Sequence, residues 1–212
     1  MVLSVIFCVF VACTALQIIY LFTFFSFLSK SKYGRKNKTE IPVSVIIFIK
    51  NQGENLLKLL PSILDQEHSL FEIVLINNAS SDETNDIIQS FSEKHTCIKV
   101  VEVENNEAFW ASKKYALTLG IKASKYDHLL FTNTNCKPVS KNWISEMSRD
   151  FTSKKTIVLG YKKYRKENSF INLFVRFENL LTAIKCFGFV QKGSPFMAFE
   201  GNLAFNKATF FK

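Results

Sequence analysis

The apolar residues of this chain form short, nearly unbroken runs that are separated by polar turns. Such runs predict strands buried on both faces of a sheet, because a strand with one exposed face would alternate apolar and polar residues. The predicted strands are residues 43–49, 71–76, 98–103, 128–131 and 157–161. Between these runs, apolar residues recur at helical spacing, as at Leu56, Leu59, Leu60, Ile63 and Leu64. This alternation predicts an α/β domain with a mostly parallel sheet and helices on both faces.

One apolar segment is much longer than the others and lies at the N-terminus. Residues 2–28 carry no charge and exceed the roughly 20 residues that a helix needs to cross a bilayer. The basic residues follow this segment, at Lys30, Lys32, Arg35, Lys36 and Lys38, whereas a cleavable signal peptide begins with its basic residues. We therefore predict a transmembrane anchor at residues 1–29, a basic juxtamembrane linker at 30–41 and a domain at 42–212. Because basic flanks stay on the cytoplasmic side and favour anionic lipid, we expect a single-pass protein of the cell (inner) membrane with a cytoplasmic C-terminal domain.

A second apolar stretch, residues 170–190, contains three charged residues, Arg176, Glu178 and Lys185. Those charges make it too polar for a simple span. It is predicted to be an amphipathic helix that either packs on the sheet or lies at the membrane surface. Packing on the sheet is the favoured alternative.

Charge and cysteine content narrow the classes of partner. The net charge of +9 indicates an anionic partner, such as a phosphate-bearing substrate or lipid headgroups. Nucleic acid is not expected, because the charge outside the linker is dispersed and no RNA-binding aromatic motif is present.

The five cysteines form no C-x-x-C pair, which argues against a zinc site or a disulfide framework. The Gly-rich dinucleotide motif, the P-loop and the nucleophile elbow are all missing from the sequence.

Polar residues follow three of the predicted strands, at residues 50–52, 77–84 and 132–138. In open α/β sheets, ligands bind just beyond the carboxyl ends of the strands. We therefore take the corner at Asn133 and Asn135 as the centre of a site. This corner has two amides where a metal site would have two carboxylates. Ser80 with Glu83 also predicts a capping box for the helix that follows the second strand.

In their order and spacing, several segments resemble the family 2 glycosyltransferases of GT-A fold. The segments, each with the family feature that it resembles, are residues 42–47 (first strand), 61–66 ("S-L-x-x-Q"), 72–84 ("D-D-x-S-x-D-x-T", which contacts uridine), 113–117 ("G-K-x-x-A-L"), 133–135 (the metal-binding Asp-x-Asp) and 202–205 ("N-L-A-Y"). The resemblance implies a Rossmann-like GT-A nucleotide-diphospho-sugar transferase fold over residues 42–212. The family's catalytic base and its Gln/Arg-x-x-Arg-Trp segment have no equivalent here, so the resemblance implies a C-terminally incomplete domain whose catalytic residues are unknown.

The resemblance also assigns site residues. The positions that it implies for donor binding are Asn51, Asn77, Asn78, Lys113 and Thr134. Asn133 and Asn135 stand at the two metal-ligand positions as a degenerate Asp-x-Asp, and Asn202 lies on the acceptor side. Each residue also has a structural alternative: the asparagines can simply form turns, and Lys113 can face solvent.

The implied activity is transfer of a sugar from a nucleotide-diphospho-sugar to an acceptor hydroxyl of a lipid or polysaccharide at the cytoplasmic membrane face. The family uses a divalent metal, Mg²⁺ or Mn²⁺, and amides bring no charge to hold it. We therefore expect weak metal binding and weak or no turnover. The alternatives are a catalytically inactive protein that binds a nucleotide-sugar or a partner subunit, a truncated product without activity, and a lipid-surface binding module.

Overall fold

The computed structural model describes residues 2–30, 40–104, 113–152 and 155–211, and for residues 23–30 it describes the backbone only. Its elements in chain order are α1 (Val2–Lys30), β1 (Val43–Ile49), α2 (Gly53–Leu64), β2 (Phe71–Asn78), α3 (Thr84–Ser92), β3 (Ile98–Val103), α4 (Lys113–Ala123), β4 (His128–Asn133), α5 (Trp143–Ser148), β5 (Ile157–Leu159), α6 (Phe170–Gln191), β6 (Leu203–Asn206) and α7 (Lys207–Phe210). Most of the predicted linker, residues 30–41, lies outside the described residues. The chain divides into two units, Met1–Arg35 with Lys163–Ala198, and Lys36–Lys162 with Phe199–Lys212.

The second unit is built on a six-stranded sheet in the order β3-β2-β1-β4-β6-β5. Strands β3, β2, β1 and β4 are parallel to one another, whereas β6 runs antiparallel to both β4 and β5. The predicted α/β fold with a mostly parallel sheet is thus confirmed. Strand β6 was not predicted as a strand, because its four residues are too few to show a period in the sequence.

Two apolar cores cover the sheet, one on each face, which explains the unbroken apolar runs. Alternate residues of β1 and β2 pack with helices α2, α3 and α5, and the core on this face includes Ile47, Leu75 and Leu60. The intervening residues pack with α4, and the core on the other face includes Ile46 and Ile76. Burial of each such Leu or Ile side chain stabilises the fold by roughly 1.5–3 kcal/mol.

The first unit contains α1 and α6, which run beside each other. Within the described residues, one helix is long and apolar enough to cross a membrane: Val2–Phe22 of α1, which has a mean hydropathy of 2.6 and no burial. The second apolar stretch is a helix, as predicted. Within the first unit α6 contacts α1, and its two predicted positions, on the sheet or at the membrane surface, stay predictions. The apolar side chains in its first half are exposed: Phe170, Ile171, Leu173, Phe174 and Phe177.

The contact of α4 with the sheet depends on Gly120. A Cβ at this position would lie 2.2 Å from Cδ1 and 2.5 Å from Cγ1 of Ile76, which is fully buried. We predict that Gly120→Ala lowers the free energy of unfolding by about 1–3 kcal/mol, because a β-branched core side chain cannot move aside without strain. Chemical denaturation of the full chain in detergent measures the change.

The exposed helical substitution Lys122→Ala is the control for general effects on α4. In an Ile76→Ala background, Gly120→Ala should lower the free energy of unfolding by a smaller amount, since the clashing atoms are gone. An equal decrease in both backgrounds would show that the helix does not approach the sheet at Gly120.

Candidate functional site

Parallel pairing brings three polar turns to one edge of the sheet. Ile49 at the end of β1 pairs with Asn77 of β2, and Phe48 pairs with Asn133 at the end of β4. The segments that follow these strands therefore leave the sheet side by side. The strand ends and the segments that follow them carry six of the eight residues assigned from the sequence: Asn51, Asn77, Asn78, Asn133, Thr134 and Asn135.

The turn after β1 is strained and is held by the turn after β2. Asn51 has a φ of 51°, and Ala79 has a φ of 48°, in the left-handed region that costs an L-residue about 1–2 kcal/mol. The backbone N–H of Asn51 donates to Ser80 Oγ at 3.0 Å, and Asn51 Oδ1 accepts from the Ser81 N–H at 2.8 Å. The predicted capping role of Ser80 is wrong, because α3 begins at Thr84 and Ser80 Oγ bonds to β1's turn instead.

Gln52 joins all three turns. Its backbone N–H donates to Thr84 Oγ1 at 3.1 Å, and its Oε1 accepts from Thr134 Oγ1 at 3.4 Å and from Asn55 Nδ2 at 2.6 Å.

A hydrogen bond from the Thr84 hydroxyl lowers the pKa of the neighbouring carboxyl of Asp82, and backbone N–H groups add to this effect. The turn after β2 therefore keeps an ionised carboxylate at the start of α3.

Asn77 has a structural reason to be an amide. Its side chain is buried, and its Nδ2 donates to Glu102 Oε2 at 2.7 Å and to Asn85 Oδ1 at 2.6 Å. A carboxylate here could not donate, and it would face the carboxylate of Glu102. Asn77 Oδ1 also lies 3.4 Å from the Ser80 N–H, so Asn77 stabilises its own turn, as its structural alternative implied. Contact of Asn77 or the buried Asn78 with a donor stays a prediction.

Lys113 begins α4 at the same edge of the sheet. Its Nζ lies 5.5 Å from the centroid of the Phe48 ring and donates to Glu200 Oε1. Because Phe48 pairs with Asn133, Lys113 is near the end of β4. This ammonium is the sort of group that can bind a phosphate.

The corner at Asn133 and Asn135 does not fit a divalent metal. Within the described residues, no group of three His, Cys, Asp or Glu side chains could hold a metal ion. A Cβ on Gly201, which is buried, would lie 3.5 Å from Asn133 Nδ2 and 3.2 Å from Lys162 Cδ. Neutral amides next to a lysine side chain do not provide the charged oxygens that Mg²⁺ and Mn²⁺ prefer.

Asn202 ties the segment before β6 to its neighbours. Its Oδ1 accepts from Trp143 Nε1 at 3.0 Å, and its Nδ2 donates to the Tyr161 carbonyl oxygen at 3.0 Å. Its own carbonyl oxygen accepts from the Gly160 N–H at 2.9 Å. The side chain therefore links α5 to the segment that follows β5, and its assigned place on the acceptor side stays a prediction.

Sequence reasoning missed Lys162 and the linking role of Gln52. Lys162 follows β5, whose carboxyl end lies at the same edge as that of β4 through their shared neighbour β6. A signal was available, since Lys162 and Lys163 directly follow the last predicted strand. Without the antiparallel β6, however, the sequence does not show at which edge that strand ends.

Comparison with known proteins shows the family and the fold. The family model described as "Glycosyl transferase family 2" matches residues 44–208. The chain is 34% identical over 88 residues to the poly-beta-1,6-N-acetyl-D-glucosamine synthase of Staphylococcus epidermidis, covering 42% of this chain and 20% of the relative. It is 30% identical over 172 residues to the probable glycosyltransferase YdaM of Bacillus subtilis, covering 78% of this chain and 39% of the relative. The chain thus spans well under half the length of these two curated relatives.

One solved structure shares the fold over most of the chain. It is the mannosyltransferase PcManGT of Pyrobaculum calidifontis, solved in complex with GDP-Man and Mn²⁺. The TM-score is 0.69 at 16% sequence identity, and the match covers 92% of this chain and 53% of that chain. This likeness shows a GT-A-like fold, as the sequence predicted.

The strain and the hydrogen bond at Asn51 lead to a prediction about stability. Asn51→Ala should lower the free energy of unfolding by about 1–3 kcal/mol, because alanine is less stable at positive φ and leaves the Ser81 N–H without its acceptor. Asn51→Gly should recover only the part due to backbone strain. Denaturant unfolding of the three proteins gives both contributions.

Asn51→Asp is the matched control, since it keeps the acceptor oxygen and tolerates positive φ. It should unfold at nearly the same denaturant concentration as the unmodified chain. If Asn51→Ala were equally stable, the turn would not depend on this residue.

Proposed function

This chain belongs to glycosyl transferase family 2, and on that premise we propose that it binds a nucleotide-diphospho-sugar and transfers the sugar to an acceptor hydroxyl at the cytoplasmic membrane face. The observation that carries the proposal is the convergence of three polar turns and Lys113 on one edge of the sheet. Use of a nucleotide-sugar donor is supported by the family and by its solved relatives, such as the GDP-Man complex of PcManGT.

The proposed donor site uses the turns for the nucleoside and the lysine for the diphosphate. Asn51, Asn78 and Thr134 offer side-chain amides and a hydroxyl, which can donate and accept hydrogen bonds. Lys113 offers one positive charge, which is paired with Glu200. Asn77 acts by holding the second turn through Glu102 and Asn85.

The amides favour a second candidate function. Mn²⁺ in the PcManGT complex supports a divalent metal for the family, but Asn133 and Asn135 do not fit one. No general base is assigned among the described residues. A catalytically inactive protein that binds a nucleotide-sugar, with or without a partner subunit, is therefore the alternative to a transferase of low turnover. Release of free nucleoside diphosphate separates the two, because only a transferase produces it.

The proposed location follows from the first unit. Val2–Phe22 can cross a membrane by length and composition, and α6 exposes a row of large apolar side chains. We propose that α1 anchors the chain in the cell membrane and that α6 lies at the lipid surface, with a lipid or polysaccharide as acceptor. Exposed apolar residues flanked by Lys163, Arg165 and Lys166 are typical of helices at an anionic interface.

Binding of the donor can be tested on Lys113. In calorimetry with the full chain in detergent, Lys113→Gln should weaken binding of UDP or GDP by roughly 10- to 100-fold, the effect of losing one charged hydrogen bond to phosphate. Lys114→Gln, the exposed next residue on α4, is the matched control and should bind like the unmodified chain. Equal losses in both variants would indicate a non-specific effect of net charge.

The location can be tested by protease accessibility. In inside-out membrane vesicles the domain that follows α1 should be digested, and in right-side-out vesicles it should be protected, because the basic linker holds it on the cytoplasmic side. The chain should also stay with the membrane after washing at alkaline pH. Digestion in right-side-out vesicles would contradict the proposed sidedness, and detergent-treated vesicles show that the protease cuts the domain when it has access.

A further inference from the structure

Lys162 and Glu200 are brought to the Asn133 corner by the antiparallel strand β6. Leu203, the first residue of β6, pairs with Phe131 near the carboxyl end of β4 and with Leu159 at the carboxyl end of β5. Residues that follow β5 and residues that precede β6 therefore lie at the same edge of the sheet as Asn133. The strand pairing alone accounts for this placement.

Gly201 makes the approach close. It is buried, and a Cβ at this position would lie 2.7 Å from Cys136 Sγ, 3.2 Å from Lys162 Cδ and 3.5 Å from Asn133 Nδ2. The missing side chain thus leaves room for the aliphatic part of Lys162 to lie beside the Asn133 amide. The adjacent residue, Glu200, accepts a hydrogen bond from Lys113 Nζ. Lys162 thus lies beside Gly201 and Lys113 pairs with the adjacent Glu200, so both lysines contact the same short segment.

The charges at this corner are those of a site for an anion. Asn133 and Asn135 are neutral, and Lys113 and Lys162 are positive. Glu200 supplies a negative charge, and it is paired with Lys113. Lys162 would repel a cation and attract a diphosphate, and Lys113 would do the same once Glu200 no longer pairs with it.

We propose that this corner binds the diphosphate of the donor without a divalent metal, using Lys162 and Lys113 for charge, and that Glu200 is an internal anion which the diphosphate displaces from Lys113. The inference rests on the proposed nucleotide-sugar site and adds to it the source of positive charge. No bond is made or broken in this step; one anion replaces another.

Exposure of the Lys113–Glu200 pair makes the exchange feasible. The two side chains are 45% and 60% exposed, and ion pairs of this kind stabilise a protein only slightly. A diphosphate carries more charge than one carboxylate and has several acceptor oxygens, so it competes well for Lys113. Lys162, which is half-buried beside Gly201, would supply a second positive charge to the diphosphate.

The test is calorimetry of the full chain in detergent with UDP and GDP, each measured in excess EDTA and in Mn²⁺. The unmodified chain should bind at least one of them in EDTA, and Mn²⁺ should change the affinity by less than about 2-fold. In EDTA, Lys162→Gln should weaken binding roughly 10-fold or more, and Lys162→Arg, which keeps the charge, should recover most of it. Glu200→Gln should strengthen binding several-fold, because the internal competitor is removed.

Matched controls separate these effects from general changes in charge or folding. Glu54→Gln removes the carboxylate of an exposed Lys58–Glu54 pair on α2 and should leave binding unchanged. Thermal unfolding should show that Lys162→Gln is folded. The double variant Asn133→Asp, Asn135→Asp in the Lys162→Gln background should gain Mn²⁺-dependent binding, since the corner then has two carboxylates and one less ammonium.

The outcomes distinguish this inference from the function on which it rests. Binding that requires Mn²⁺ and is indifferent to Lys162→Gln would overturn the inference and leave the donor site standing. An affinity that Glu200→Gln does not raise would overturn the displacement of Glu200. If neither UDP nor GDP bound under any condition, both the inference and the nucleotide-sugar function would be wrong.

Discussion

The parallel pairing of β1 with β2 and β4 is the constraint on which the candidate site depends. A shift of one residue in either pairing would turn every side chain of a strand to the opposite face of the sheet. Fully buried residues at successive positions of β1, such as Ile46 and Ile47, belong to different cores, so such a shift would exchange the contents of both. The register pairs Ile49 with Asn77 and Phe48 with Asn133. It is therefore fixed by the packing of the two cores and not by contacts at the polar edge.

That rigid support explains how the edge keeps two residues at positive φ. Asn51 and Ala79 would each favour another conformation in a free chain, and strain of this kind persists only where the surroundings determine the backbone. Here the surroundings are reciprocal hydrogen bonds: the turn after β1 donates to Ser80, and the turn after β2 donates to Asn51. Each turn thus stabilises the backbone conformation of the other through these hydrogen bonds.

The sequence predicted the elements with strong periods and missed features that depend on neighbours far along the chain. The buried strands and the polar strand ends follow from local patterns. By contrast, the partner of α6 could not be inferred, since an apolar helix face is the same in sequence whether it meets a sheet, another helix or lipid. The prediction for Ser80 was wrong because its hydroxyl can pair either within a capping box or with the turn after β1. The capping-box pattern is visible in the local sequence, but the hydroxyl accepts from the Asn51 N–H instead. Lys162 was overlooked because its position depends on the short antiparallel strand β6.

The asparagines of the site consequently have two different explanations. At Asn77 the amide is required by folding, because Glu102 and Asn85 both accept from it. At Asn133, no hydrogen bond within the part of the chain that the structure describes requires an amide, and the charge itself is what differs from a metal site. Two unit charges 4 Å apart interact by about 4 kcal/mol at an effective dielectric constant of 20. Exchanging carboxylates for amides and adding an ammonium would therefore shift the preference of the corner from cation towards anion, as the proposed metal-free site requires. A diphosphate can be held by either kind of charge, directly by lysines or through a bound metal, and the neutral corner beside Lys162 is consistent with the direct route.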